Sequence, residues 1–194
     1  MLSAEISLMR NPRAYAHLVE LPERPGSAWR RPLLVASVLG CAISLMTSGR
    51  ITLRLAAPAT LYWSFLPLCE ILALGVFWIG GRPGVPFRRA IDLLFAGQAP
   101  CSLWLLAFAA VWACFPAPTI LAVSPRPWMW YVSAIGVLGW TAWIDFWFFR
   151  CVLARSPARA LASLLLYRAI CWPLALAVFL YSAGVTVVAK RLGL

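Results

Sequence analysis

Long apolar runs, separated by short polar or proline-rich breaks, dominate the pattern of this chain. The clearest run extends from Ala57 to Ile79 and carries a single charge, Glu70. Because roughly 20 apolar residues in a helix cross a hydrocarbon layer about 30 Å thick, this run predicts a membrane-spanning helix. We expect an all-α, polytopic membrane protein whose transmembrane domain, residues 32–194, contains five spans. These are predicted at about 32–49, 57–79, 99–115, 128–149 and 165–189.

The N-terminal segment, residues 1–31, is polar and amphipathic. Asn11 followed by Pro12 predicts the start of a short helix, since asparagine caps a helix and proline at its first position gives up no needed N–H. Tyr15 and Leu18 would then share one side. We expect this helix to lie on the membrane surface, and a solvated helix is the alternative. The segment has no apolar core of signal-peptide length, so no cleaved leader is expected.

Prolines within the apolar runs predict bends. Pro67 in the second span has no N–H for the carbonyl of Trp63, so a kink is predicted just before Glu70. Pro173 predicts a kink in the fifth span for the same reason.

The longest break in the apolar pattern covers residues 80–98. Glycines and prolines predict a loop in its first part. Phe87 to Phe95 then reads as an amphipathic helix, in which Arg88 and Asp92 are four residues apart and are expected to pair.

Charge fixes the expected orientation. The chain has a formal net charge of +11, yet it is 63% hydrophobic with a mean hydropathy of +0.84. The arginines are scattered among the breaks between apolar runs, so we expect no nucleic-acid partner. With five spans, 11 basic residues collect on the side of the N-terminus and five on the other. The excess predicts that the N-terminus lies in the cytoplasm and the C-terminus outside.

Glu70 is the first candidate for chemistry. A carboxylate in mid-bilayer costs about 2.5–3.5 kcal/mol on insertion scales, so Glu70 should face the bundle interior. We expect it to be neutral or bonded to the backbone that Pro67 leaves free. It would serve either as a proton or cation site or as an interhelical hydrogen bond.

Asp145 and Arg168 are the other intramembrane candidates. Asp145 lies about 10 Å from the centre of the fourth span at 1.5 Å per residue, and Arg168 enters the fifth span from the same side. Because a short loop joins these spans, we expect an ion pair at similar depth. It would act as a structural clamp or as part of a solute path.

Aromatic residues cluster towards both ends of the fourth span and predict belts at the two membrane interfaces. A lipid-facing surface is the expected role, and a site for a pigment, quinone or lipid is the alternative. The two clusters are Trp128, Trp130 and Tyr131, then Trp140, Trp143, Phe146, Trp147, Phe148 and Phe149.

Metal and catalytic motifs are absent from the sequence. There is one histidine, His17, and the six cysteines show no CxxC spacing. Neither HExxH nor GxSxG occurs. We therefore expect no metal, no cofactor and no enzymatic activity, and we expect the cysteines to be packing residues.

Two stretches resemble a known family. NPRAYAHLVELPERPGSAWRRPLL is a short proline-containing amphipathic segment that leads into five predicted spans, and FRRAIDLLFAGQAP is an amphipathic run that ends in Ala-Pro at the start of a span. Both resemble bacterial members of the Yip-domain family of Ypt/Rab-interacting membrane proteins. The resemblance covers Arg10 to about Tyr181. It implies a multi-pass protein of the bacterial inner (cytoplasmic) membrane with five spans and a cytoplasmic N-terminus, and it implies no particular reaction.

These observations favour a non-catalytic membrane protein that organises or assists other membrane components. Such a protein could be an accessory subunit of a larger assembly, because its sparse polar loops leave helix-to-helix contacts as the main route to partners. The expected partners are the lipid bilayer and other membrane proteins. The alternative function is a small-solute or proton-coupled carrier that uses Glu70.

Overall fold

The computed structural model describes residues 2–21, 29–81, 84–114 and 128–191 of the chain. Every regular element in these ranges is helical, which confirms the all-α prediction. The elements are α1 (Leu2–Arg10), a 3-10 helix (Pro12–Ala14), α2 (Tyr15–Glu20), α3 (Arg30–Ser48), α4 (Leu53–Trp63), α5 (Phe65–Ile79), α6 (Phe87–Ala96), α7 (Ala99–Cys114), α8 (Trp128–Cys151) and α9 (Pro157–Arg191).

Three stretches are long and apolar enough to cross a membrane by themselves: Arg30–Ser48, Leu53–Ile79 and Tyr131–Cys151. In each helix, no more than 33% of an apolar stretch of 18 residues is buried inside the protein, so most of the surface of that stretch remains available to lipid. The pair α6 and α7 gives a fourth candidate only if the two helices, bent by 41°, form one span. The expectation of five spans is therefore confirmed only as an all-helical protein with three or four such helices.

The remaining span boundaries differ in detail from the predicted ones. The third span was expected over 99–115, but α7 is short at 16 residues, and Phe115 with the linker that follows lies outside the described residues. The fifth was expected over 165–189 and falls within α9, a 35-residue helix that begins at Pro157. Pro173 lies inside α9, which continues as one helix to Arg191.

The second span is interrupted where proline chemistry predicts it. One turn residue, Ser64, separates α4 from α5, next to Trp63 whose carbonyl Pro67 cannot bond. The backbone N–H of Leu68 donates to the carbonyl of Ser64 at 3.2 Å and resumes the helical pattern. The interruption therefore follows from the missing N–H of Pro67.

α3 and α4 form a closely packed helical hairpin. A Cβ on Gly40 would stand only 2.6 Å from the carbonyl oxygen of Ala56 and 2.8 Å from the backbone nitrogen of Thr60. Ala36 and Ala42 are buried on the same helix. Small residues let two backbones approach in this way, which is how membrane helices gain packing energy without a hydrophobic drive between them.

The main core lies where α1, α2, α5, α6, α8 and α9 meet. α6 is at its centre, and all its residues from Ala90 to Ala96 are buried. Phe148 and Phe149 on α8 are completely buried in the same core, and Trp147 is 9% exposed. The second aromatic cluster of α8 is therefore not simply the lipid-facing belt expected from sequence. Trp140 and Trp143 remain exposed, whereas the side chains of Trp128 and Trp130 lie outside the described residues.

The N-terminal segment belongs to this core. Asn11 caps the 3-10 helix as predicted, with its side-chain oxygen accepting from the backbone N–H of Arg13 at 3.1 Å. Pro12, Tyr15 and Leu18 are buried by protein. The apolar side expected to face the membrane surface is thus covered by the bundle, because the edge-on contact of Tyr15 with Phe148 and its bond to α6 hold it there.

Candidate functional site

The central feature of the candidate site is an ion pair between two long helices, α8 and α9. The guanidinium Nη2 of Arg168 on α9 donates to Oδ2 of Asp145 on α8. The Asp145 side chain is completely buried and that of Arg168 is 14% exposed. The loop from Val152 to Ser156 is short enough to set the two helices side by side, so the expected pair at similar depth is present.

Aromatic rings surround the arginine of this pair. The Cζ atom of Arg168 lies 5.9 Å from the ring centroid of Tyr167 and 5.3 Å from that of Trp172. Tyr167 in turn meets Phe149 edge-on at 5.7 Å. The electron-rich faces of Tyr167 and Trp172 attract the cation and stabilise its charge beside the ion pair.

Glu70 lies next to the pair. It is half-buried on α5, and its carboxyl group is close enough to Asp145, Arg168 and Tyr167 to interact with all three electrostatically. The expectation that Glu70 faces other helices rather than lipid therefore agrees with its surroundings. The structure brings together Glu70, Asp145 and Arg168 from three different helices.

The charges of this group do not balance. Arg168 supplies one positive charge, whereas Glu70 and Asp145 supply two negative charges if both are ionised. An uncompensated carboxylate is costly in an apolar bundle, and a proton or a bound cation removes that cost. The arrangement can therefore hold one exchangeable positive charge. Among the described residues, no group of three His, Cys, Asp or Glu side chains is placed to bind a metal ion.

A second buried charge network ties the N-terminal segment to the bundle. Asp92 on α6 is 1% exposed, and its Oδ1 forms an ion pair with Arg31 Nη1 at 2.5 Å. Its Oδ2 accepts a hydrogen bond from Arg89 Nη1 at 3.2 Å. Arg31 also donates through Nε to Glu5 on α1 at 2.8 Å. Arg31 on α3 thus connects its own helix to α6 through Asp92 and to α1 through Glu5.

Arg89, rather than Arg88, is the partner of Asp92 within α6. The sequence predicts Arg88 because it is four residues away, but Arg88 is exposed. Arg89 is three residues away and points inward, where its Nη2 also donates to the carbonyl of Leu18 at 2.8 Å. That carbonyl near the end of α2 needs a donor, and Arg89 provides one that Arg88 cannot reach.

Tyr15 completes the attachment. Its hydroxyl donates to the carbonyl of Leu93 on α6 at 3.1 Å. Burial raises the pKa of Tyr15 well above its ordinary value, so the phenol keeps its proton and remains a donor. Gly97, directly after α6, permits this approach: a Cβ there would stand 2.6 Å from the Tyr15 hydroxyl and 2.9 Å from Cγ2 of Ile144.

Sequence reasoning missed α1 and most of the Asp92 network. A signal for burial was present, because Asp92 stands between Ile91 and Leu93 in an otherwise apolar stretch. No spacing rule pointed to the other two members. Arg31 is 61 residues from Asp92 along the chain, and Glu5 is 26 residues from Arg31.

Comparisons with protein-family models, curated proteins and solved structures gave no match to this chain. The resemblance to the Yip-domain family accordingly stays a prediction.

Proposed function

We propose that this chain is a non-catalytic membrane protein that organises or assists other membrane components through helix-to-helix contacts. In this proposal it has five spans, with its N-terminus in the cytoplasm and its C-terminus outside, as its resemblance to Yip-domain proteins and its arginine distribution suggest. We propose neither an enzymatic activity nor a cofactor for this chain.

The observation that carries the proposal is how the charged and apolar groups are divided. Asp145 and Asp92, the buried acids, are bonded to arginines within the chain. The outer side of α5 instead presents one continuous apolar ridge at helical spacing. It consists of Phe65, Leu68, Leu72, Val76 and Ile79, which are 42%, 49%, 71%, 71% and 79% exposed.

A photo-crosslinking amino acid on the α5 ridge tests the proposal. Placed at Leu72 in intact membranes, it should form a covalent adduct with one defined membrane protein. The matched control is Leu74, two residues away and fully buried, where no adduct is expected. The same partner should also remain bound through purification in mild detergent. Adducts with lipid alone from Leu72, Leu68 and Val76 would contradict an organising role through this ridge.

A proton-coupled or cation-coupled carrier is the second candidate, favoured by the unbalanced charge of Glu70, Asp145 and Arg168. Glu70→Gln keeps the size of the side chain and removes the titratable group. In proteoliposomes with a potassium gradient and valinomycin, a carrier should show proton flux that this variant abolishes. An organiser should show the same low flux in both and should keep its partners. Flux in the wild type would therefore favour the carrier.

A further inference from the structure

Two arginines from distant parts of the chain converge on one tryptophan. Cζ of Arg13, in the 3-10 helix, lies 5.1 Å from the ring centroid of Trp147, and Cζ of Arg150, near the end of α8, lies 4.9 Å from it. Both arginines are exposed, whereas Trp147 is mostly buried. The indole therefore fixes the positions of two guanidinium groups that are themselves accessible.

No acid in the described residues neutralises this pair. Neither Arg13 nor Arg150 forms an ion pair with a carboxylate within 4.0 Å among these residues, whereas Arg31, Arg89 and Arg168 each do. The two Cζ atoms are at most 10.0 Å apart, because each lies about 5 Å from the same centroid. Two like charges held this close repel each other, and an anion near both would relieve the repulsion.

The surroundings favour the phosphate of a lipid. Trp143, 46% exposed, meets the Trp147 ring edge-on at 5.8 Å. At 1.5 Å per residue, Trp143 lies about 10 Å deeper along α8 than Arg150. An apolar surface below and two cations above match an acyl chain and its anionic headgroup, and tryptophan is enriched at this depth of a membrane. Guanidinium groups bind phosphate oxygens in fork geometry, often through two hydrogen bonds at once.

We propose that Arg13, Arg150 and Trp147 form a binding site for the phosphate headgroup of an anionic membrane lipid. The lipid bridges the N-terminal segment and the end of α8. It therefore stabilises the docked position of that segment as well as occupying the membrane surface. This site is independent of the α5 ridge and of Glu70, so it does not rest on either proposed function.

Lipid titration of the purified full chain tests the site. Phosphatidylglycerol and phosphatidylcholine with the same acyl chains are added in neutral detergent, and bound lipid is counted by native mass spectrometry. The double variant Arg13→Gln, Arg150→Gln should bind phosphatidylglycerol roughly 25-fold more weakly, about five-fold for each arginine. The matched control, Arg88→Gln with Arg159→Gln, removes the same charge from two other exposed arginines and should bind as the wild type does.

Three results would overturn the proposal. They are equal binding of the two lipids by the wild type, an equal loss in the control variant, and complete displacement of phosphatidylglycerol by millimolar inorganic phosphate, which would indicate a site for a soluble anion. Should the double variant fail to fold, Arg150→Gln alone carries the test, with a five-fold loss expected and an unchanged affinity contradicting the site. Arg13→Lys with Arg150→Lys should retain charge attraction but lose part of the preference.

Discussion

The α3–α4 hairpin and the core around α6 are held together by different means. In the hairpin, Gly40 brings two helix backbones into contact and large apolar side chains face outward. Around α6, helices are joined by charged hydrogen bonds and edge-on aromatic rings. Between membrane helices there is little hydrophobic drive, so close packing of small residues supplies the attraction. Where the N-terminal segment meets the bundle, directional bonds to buried charges specify one docked position.

Among the variants that test this difference, Gly40→Leu should destabilise the protein most. Its side chain has no space between α3 and α4, since even a Cβ collides with the backbone of Ala56 and Thr60. We expect a cost above about 3 kcal/mol, measured as loss of folded protein in detergent or a large fall in melting temperature. The control is Gly136→Leu, where a Cβ meets nothing within 4 Å. Equal behaviour of the two variants would rule out the close approach.

Asp145→Asn should come next, because it removes the carboxylate that is hydrogen-bonded to Arg168 and leaves only the neighbouring Glu70 to balance this cation. Removing one partner of a buried pair costs about 3–5 kcal/mol. Asp145→Asn combined with Arg168→Gln should be milder, since no arginine is left without its hydrogen-bonded carboxylate. Melting temperatures of wild type, both single variants and the double variant measure the coupling. If the double variant is as unstable as Asp145→Asn, the pair contributes no coupling.

Arg89→Gln should cost about 2 kcal/mol, because hydrogen bonds from a charged group to Asp92 and to the Leu18 carbonyl are lost. Arg88→Gln, the neighbouring change with the same loss of charge, should stay within about 0.5 kcal/mol. Thermal denaturation of the two variants compares them directly. A larger effect at Arg88 would restore the pairing expected from the four-residue spacing.

Tyr15→Phe should have the smallest effect, about 1 kcal/mol, because it removes one buried hydrogen bond and keeps the ring that packs on Phe148. Limited proteolysis of the N-terminal segment should show faster cleavage than in the wild type. Tyr62→Phe, a half-exposed tyrosine on α4, provides the control and should leave that cleavage rate unchanged. Equal cleavage rates in wild type and Tyr15→Phe would indicate that the bond to Leu93 does not hold the segment.

Some of this structure could be predicted from the sequence because its causes are local. The apolar runs give the helices around 32–49, 57–79 and 128–149, and the missing N–H of Pro67 gives the break at Ser64. The Asp145–Arg168 pair follows from a short loop between two helices of opposite direction. Each of these inferences needs only spacing along the chain and the thickness of a bilayer.

Other features depend on packing between distant segments and could not be predicted in this way. Whether Tyr15 faces a membrane or a protein depends on where α6 lies, and the amphipathic pattern is the same in both cases. The choice of Arg89 over Arg88 depends on the direction of the Leu18 carbonyl. The number of spans also depends on packing, because α7 counts as part of a span only together with α6, from which it is bent by 41°.

The attachment of Tyr15 also implies an order of events during synthesis. Its hydroxyl bonds to Leu93, 78 residues later, and its ring rests on Phe148, which leaves the ribosome later still. The N-terminal helices therefore emerge early but cannot dock until α6 and α8, which carry the residues that Tyr15 contacts, have been synthesised and folded. Their docking is a late step that reports a completed bundle, and a protease that cleaves the undocked segment would remove chains whose assembly has stalled.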